Sequence, residues 1–221
     1  MNDAERQAGD GLSERSLSAV LNDDQRTVLD FWLGDGLLHG WPGEKMNDRW
    51  FGIDAVLDSE IKQRFGSLVT QALADGLADW EAGPLQRLSL VILLDQFTRN
   101  IFRGSARAFA GDSRAQTLVL DALRDGQDAA LPWVGRVFLY MPLMHAEDLT
   151  LQRQCVRCFE RLLADAPAPL HETLQGNLRF AESHLDIIER FGRFPYRNAV
   201  LARSTSAAEH EFLKSGPRFG Q

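Results

Sequence analysis

The chain reads as all-α, with about seven or eight helices stacked as antiparallel hairpins. Three observations carry that reading. Apolar residues recur at i, i+3, i+4 and i+7 along most of the 221 residues, which is the helical period. Nowhere do a few residues in a row alternate with β-branched enrichment, so no strand is expected. Gly and Pro fall between the periodic stretches and keep the connections short.

Residues 1–22 are polar and read as a mobile N-terminal tail with one short turn, and residues 23–221 as a single all-α domain. Asp23 or Asp24 caps a helix holding Val28, Leu29, Phe31 and Trp32, which Gly34 stops. The stretch from Gly34 to Gly52 carries five glycines with Trp41, Pro42, Trp50 and Phe51, a long aperiodic loop of the kind that acts as a lid. Asp54 caps the next helix, in which Val56, Leu57, Ile61, Phe65, Leu68 and Val69 recur to about Ala74.

Pro84 opens a helix to Phe102 that is apolar on every side from Leu88 to Phe97, except at Ser89, Asp95 and Gln96. Asp112 or Ser113 starts another, ending at Gly126. Pro132 begins a segment that Pro142 breaks or kinks, and a long helix runs from there to Asp165. Leu170 to Phe191 is the penultimate helix, with His184, Ile187, Ile188 and Phe191 on one face and Gly192 as a left-handed stop. Ser206 and Glu209 form a capping box for the last, Ala207 to Lys214. The string RFG at Arg64 and again at Arg190 is read as two helix ends, a faint sign of repeated hairpins.

The net charge of −7 speaks against nucleic acid and anionic membranes as partners. The first 24 residues hold no apolar run fit for a signal peptide, so a cytoplasmic, bacterial-type location is expected, with a homo-oligomer left open. There are 21 Arg and 3 Lys. Coding bias explains that as readily as chemistry does. Two cysteines imply no disulfide framework, and Cys155 and Cys158 fall mid-helix, where buried inert thiols are expected rather than a redox pair.

Chemistry-bearing residues gather at three segment ends. The first group is Asp95, Gln96, Arg99, Asn100 and Arg103, where a buried Asp95 needs a partner and Arg99 lies one turn on. In the second, His145, Glu147 and Asp148, Pro142 is expected to place His145 and Asp148 in the first turns of a helix. The third is the cationic, aromatic run after Gly192, with Arg193, Tyr196, Arg197 and Asn198. From Arg190 to Arg203 there are four arginines and no acid. Arg99, Arg193 and Arg197 are candidates to clamp a small carboxylate- or phosphate-bearing ligand that Asn100 and Asn198 orient. Gln96, Arg103, Glu147 and Tyr196 complete the binding set. His145 or His184 is a candidate proton carrier positioned by Asp95 or Asp148. The bland reading, in which these groups only neutralise one another, stands beside it.

His145, Glu147, Asp148 and His184 have residue types that suit zinc or manganese, but the spacing matches no metal motif and no metal is assigned. No cofactor fingerprint is present, so the cofactor is unknown and catalysis is left open. The alternative function is a helical scaffold that grips an acidic peptide.

VLDFW at Val28, RWFG at Arg49, LLDQFTRNIFRG at Leu93, FLYMPLMHAEDL at Phe138 and HLDIIERFGRFPYRNAVL at His184 come in an order that resembles the domain of unknown function 924 family. The resemblance spans about Asp24 to Lys214. It implies a tetratricopeptide-repeat-like fold and no reaction. Two positions depart from the family pattern: Thr98 stands where Pro is common, and Tyr196 where His is. A Tyr there still hydrogen-bonds.

Overall fold

The computed structural model describes residues 12–217 and 219. Among them the chain is helical and contains no strand. The helices are α1 (Glu14–Val20), α2 (Asp23–Leu33), α3 (Gly36–His39), α4 (Asn47–Phe51) and α5 (Ala55–Leu73). Next comes α6 (84–101), built from Pro84–Val91, a π-helical stretch Ile92–Phe97 and Thr98–Ile101. Then follow α7 (Asp112–Arg124), α8 (Trp133–Met144), α9 (Leu149–Asp165), α10 (His171–Phe191) and α11 (Ala207–Ser215). No helix among the described residues is long and apolar enough to cross a membrane.

The central element is α6, contacted by α2, α5, α7 and α8. Leu88, Leu90, Val91, Ile92, Leu93, Leu94 and Phe97 have no exposed surface. Each such burial contributes roughly 1.5–3 kcal/mol, so α6 is the helix the fold tolerates losing least. Rings of Phe31, Trp32, Phe65, Phe97 and Phe138 pack around it with centroids 4.8 to 6.0 Å apart. On the C-terminal side α8, α9 and α10 follow one another through short links. Each packs on its chain neighbour, which makes consecutive hairpins.

Several local expectations are realised differently. Asn22, one residue earlier than expected, caps α2, in a capping box with Gln25. The polar N-terminal stretch contains α1, capped by Ser13; residues 1–11 of the expected tail lie outside the described ones. The Gly34 to Gly52 loop is broken by α3 and α4, and Trp50 is docked by its Nε1–H on the Trp32 carbonyl at 2.7 Å. Pro142 lies within α8 rather than ending it. That helix runs on to Met144, so His145 is a C-terminal cap and Asp148 the N-cap of a separate helix, α9. Arg64 sits in mid-α5, so RFG marks a helix end only at Arg190.

Asp54, Gly192 and the Ser206–Glu209 box behave as their residue types dictate. Asp54 accepts from Val56 N and Leu57 N. Gly192 adopts φ +67° and closes α10 with its N–H on the Ile188 carbonyl. Ser206 and Glu209 cap α11 reciprocally.

Candidate functional site

A cavity of about 290 Å³ opens between α4, α6, α8, α9 and α10. Its walls are largely apolar: Trp50 and Phe51 from α4, Met141 and Met144 from α8, Phe159 from α9, Phe180 from α10, and Phe219. The polar side chains come from Gln96, Arg99 and Asn100 of α6, Arg103 just beyond it, His145 at the end of α8, and Asn177 and His184 of α10. Asn177, Phe180 and His184 stand at i, i+3 and i+7, so one helix face supplies all three.

Asp95 lies in the π-helical stretch with no exposed surface. Such stretches recur at functional sites because the wider turn re-aims side chains. His145 Nδ1 lies 2.7 Å from Asp95 Oδ1, Gln96 Nε2 2.5 Å from Oδ2, and Arg99 Nη1 3.1 Å from Oδ1. Burial opposes ionisation of Asp95, but Arg99, His145 and Gln96 outweigh it and hold its carboxyl below the usual range. Burial pushes the His145 imidazole below its ordinary value, against the pull of Asp95 and with the help of Arg99. A neutral imidazole facing an ionised carboxylate donates from Nδ1. Its Nε2 is therefore an acceptor, and that atom has no partner among the described residues.

His184 is fixed in the same tautomer by a different device. Its Nδ1 donates to the Phe180 carbonyl, one turn back, at 2.7 Å. Burial, then His145, lowers its pKa to about 3, so this ring too is neutral with Nε2 as acceptor. The two imidazoles lie 6.2 Å apart between centroids. Phe219 stacks on His184 at 3.7 Å, and Phe194 meets it edge-on at 5.6 Å.

The arginines are engaged by carboxylates. Arg99 makes two bonds to Asp112, at 2.9 and 3.0 Å. Burial works against its charge, yet Asp112 and Asp95 raise its pKa. Arg103 grips Asp58 through Nε and Nη2 at 2.7 and 3.0 Å, and Asn100 Nδ2 donates to the same carboxylate at 2.7 Å. Asp58 is in the first turn of α5, so this pair also ties α5 to α6.

The sequence matches the family described as "Bacterial protein of unknown function (DUF924)" over residues 28–217. The chain belongs to the DUF924 family. Among solved structures it is similar to "Protein of Unknown Function ATU0120" from Agrobacterium tumefaciens, at 35% identity with a TM-score of 0.74. That likeness covers 90% of this chain and 99% of the other. No curated protein matches.

Of the residues nominated in this DUF924 chain, Gln96, Arg99, Asn100, Arg103, His145 and His184 line one cavity, with Asp95 directly behind. The rest do not line it. Arg193 binds Glu209 of α11 at 2.7 and 3.0 Å. Arg197 is buried between the rings of Phe109 and Phe194, with Nη1 3.6 Å from Asp112. The clamp of Arg99, Arg193 and Arg197 is therefore not assembled, because each guanidinium meets a carboxylate of the chain instead.

Glu147 accepts from Phe194 N at 2.7 Å and from Arg203 at 2.6 and 2.9 Å. Asp148 is exposed and caps α9 through Leu151 N. It does not position His145, because Asp95 does. Asn198 holds Arg203 and Thr205, and Tyr196 stacks on Phe194 at 5.3 Å with its hydroxyl pKa raised by burial. Cys155 and Cys158 are free and buried, and burial raises both thiol pKa values. Among the described residues no His, Cys, Asp or Glu group converges as a metal site.

Asn177 was missed in the sequence, where a single Asn on a helix face carries no signal. Its Nδ2 is buried without a hydrogen-bond partner in the structure. Asp58 and Asp112 were also passed over as partners, because each looks like an ordinary first-turn acid.

Proposed function

We propose that this DUF924 member binds a small molecule in the cavity between α6, α8 and α10, with His145 as the proton acceptor at its polar end. The observation that carries the reading is the Asp95–His145 pair. A wholly buried carboxylate fixes one edge of an imidazole whose ring lines the void. An ionised, desolvated Asp95 is costly for a fold that needed only packing. Placed here, it orients the base and stabilises the imidazolium that forms when a ligand proton is taken up.

A volume of about 290 Å³ suits a small ligand rather than a peptide segment, which favours this reading over a scaffold for acidic tails. Trp50 and Phe51 wall one side, and Trp50 is held by the Trp32 carbonyl. The aromatic end of the Gly34 to Gly52 stretch thereby shields the polar end from water. The anionic ligand inferred from the arginine count is less well served, since Arg99 and Arg103 already hold Asp112 and Asp58.

Screening a small-molecule library against the imidazole proton–nitrogen correlations of His145 and His184 tests the reading. Binders are expected to move both sets of signals, and Met144→Trp, which fills the cavity, abolishes the effect while the far-ultraviolet spectrum stays helical. Hits that persist in Met144→Trp, or a library that moves neither imidazole, overturn it.

A further inference from the structure

Four of the hydrogen-bonding side chains on the cavity wall, His145, His184, Gln96 and Asn100, share an orientation. Each commits its donor end to a partner inside the protein. His145 Nδ1 is held by Asp95, and His184 Nδ1 by the Phe180 carbonyl. Gln96 Nε2 donates to Asp95 and to Met141 Sδ, and Asn100 Nδ2 to Asp58. A carboxylate or a backbone carbonyl only accepts, so these partners decide which end of each imidazole or amide faces them. What remains is a set of acceptors: Nε2 of both histidines, Oε1 of Gln96 and Oδ1 of Asn100, none with a partner among the described residues. Asn177, with its buried amide nitrogen unpartnered, adds one donor.

From this we infer that the ligand is a neutral molecule with an apolar body and a hydroxyl-type head, an alcohol or a phenol, which donates to one of the imidazoles and accepts from Asn177. The inference rests on the proposed small-molecule site and names its ligand class. A carboxylate or phosphate would gain one amide donor from Asn177 but set its other lone pairs against four acceptors, beside Arg99 and Arg103 whose charge Asp112 and Asp58 already offset. An ammonium would find acceptors, but it would enter beside Arg99, whose field already helps keep His145 neutral. Asp95, Asp112 and Asp58 face Arg99, Arg197 and Arg103, so three guanidiniums match three carboxylates and none is left over for a cation. A hydroxyl meets neither objection. It donates once and accepts once, which matches one imidazole Nε2 and the Asn177 amide together. The apolar walls of Trp50, Met141, Met144 and Phe159 bury the remainder.

Four probes of one shape test the class: para-ethylphenol, its methyl ether, para-ethylbenzoate and para-ethylbenzylammonium. Each is titrated near neutral pH into the full chain, into Met144→Trp and into His184→Phe, with binding read from the His145 imidazole signals. The phenol is expected to bind at least about tenfold more tightly than the other three. His184→Phe, which removes one acceptor and keeps a ring for Phe219 to stack on, narrows its advantage over the ether. Tightest binding by the benzoate or the ammonium overturns the hydroxyl class and leaves the cavity as the binding site. Equal binding of phenol and ether also overturns it. Binding of none, or binding that survives Met144→Trp, overturns the site itself and the inference with it.

Discussion

Asp95, without exposed surface, offers its two oxygens to two different donors: Oδ1 to His145 Nδ1 at 2.7 Å and Oδ2 to Gln96 Nε2 at 2.5 Å. An asparagine in its place has one acceptor where two are needed. Either His145 loses its acceptor or Gln96 must turn its amide over, and Arg99 keeps Asp112 and the backbone carbonyl at position 95. Asp95→Asn is expected to cost about 3 kcal/mol in urea unfolding, as for a broken buried pair. It also releases the His145 tautomer, which imidazole correlation spectra read directly. A variant as stable as the parent, with Nδ1 still protonated, would show that Asp95 does not orient the ring.

The depressed pKa of His184, about 3 against an ordinary 6.5, makes stability depend on pH in a window that carboxylates leave clear. The unfolded chain takes a proton at the ordinary value, whereas the folded chain resists until about 3. Stability is therefore complete above the ordinary value and falls as pH drops through the interval, by up to about 1.4 kcal/mol per unit of pH. His145, also depressed, acts in the same direction. His184→Asn keeps a donor for the Phe180 carbonyl and removes the titration. Its unfolding free energy is expected to fall less steeply than the parent's between about pH 6.5 and 5. Identical slopes would contradict a neutral, buried His184.

Much of this arrangement is legible in the sequence. The helical period located all the long helices, because burial of a single face leaves an unmistakable spacing. Asp95 stood out as a charge inside an apolar run, and His145 and His184 as imidazoles beside one. What the spacing could not supply is which partner meets which. Arg193 and Arg197 look like ligand groups in a run without acids, yet Glu209 and Asp112, distant in sequence, meet them. The π-helical stretch at Ile92–Phe97 leaves no mark on residue type, and Pro142 hid the true end of α8, since proline within a helix usually breaks it.

Gly111 explains how Asp112 comes to lie beside Arg99. A β-carbon there would fall 2.3 Å from the Leu94 carbonyl oxygen, in the π-helical stretch of α6. Its φ of −89° is open to any residue, so the requirement is purely one of space. Gly111→Ala is expected to push α7 off α6 and cost about 1–3 kcal/mol in thermal unfolding. Gly66 is the control: it lies within α5, where an added β-carbon meets nothing within 4 Å. Gly66→Ala is expected to stabilise by about 0.5–1 kcal/mol. Equal effects at the two positions would contradict the close approach.

Glu147 and Asp148 separate structural from ligand-facing roles. Glu147 gathers the chain after α10 by accepting from Phe194 N and both terminal nitrogens of Arg203. Burial raises its pKa, but Arg203 and the Phe194 amide bring it below the ordinary value. Glu147→Gln is expected to cost about 2 kcal/mol by weakening charge-assisted bonds. Asp148→Ala forfeits the cap on α9 for about 1 kcal/mol. Neither side chain lines the cavity, so para-ethylphenol affinity should change less than about twofold in both variants, as for sites without shared partners. A loss of about tenfold or more in either would return that carboxylate to the binding site and reopen the choice of partner for His145.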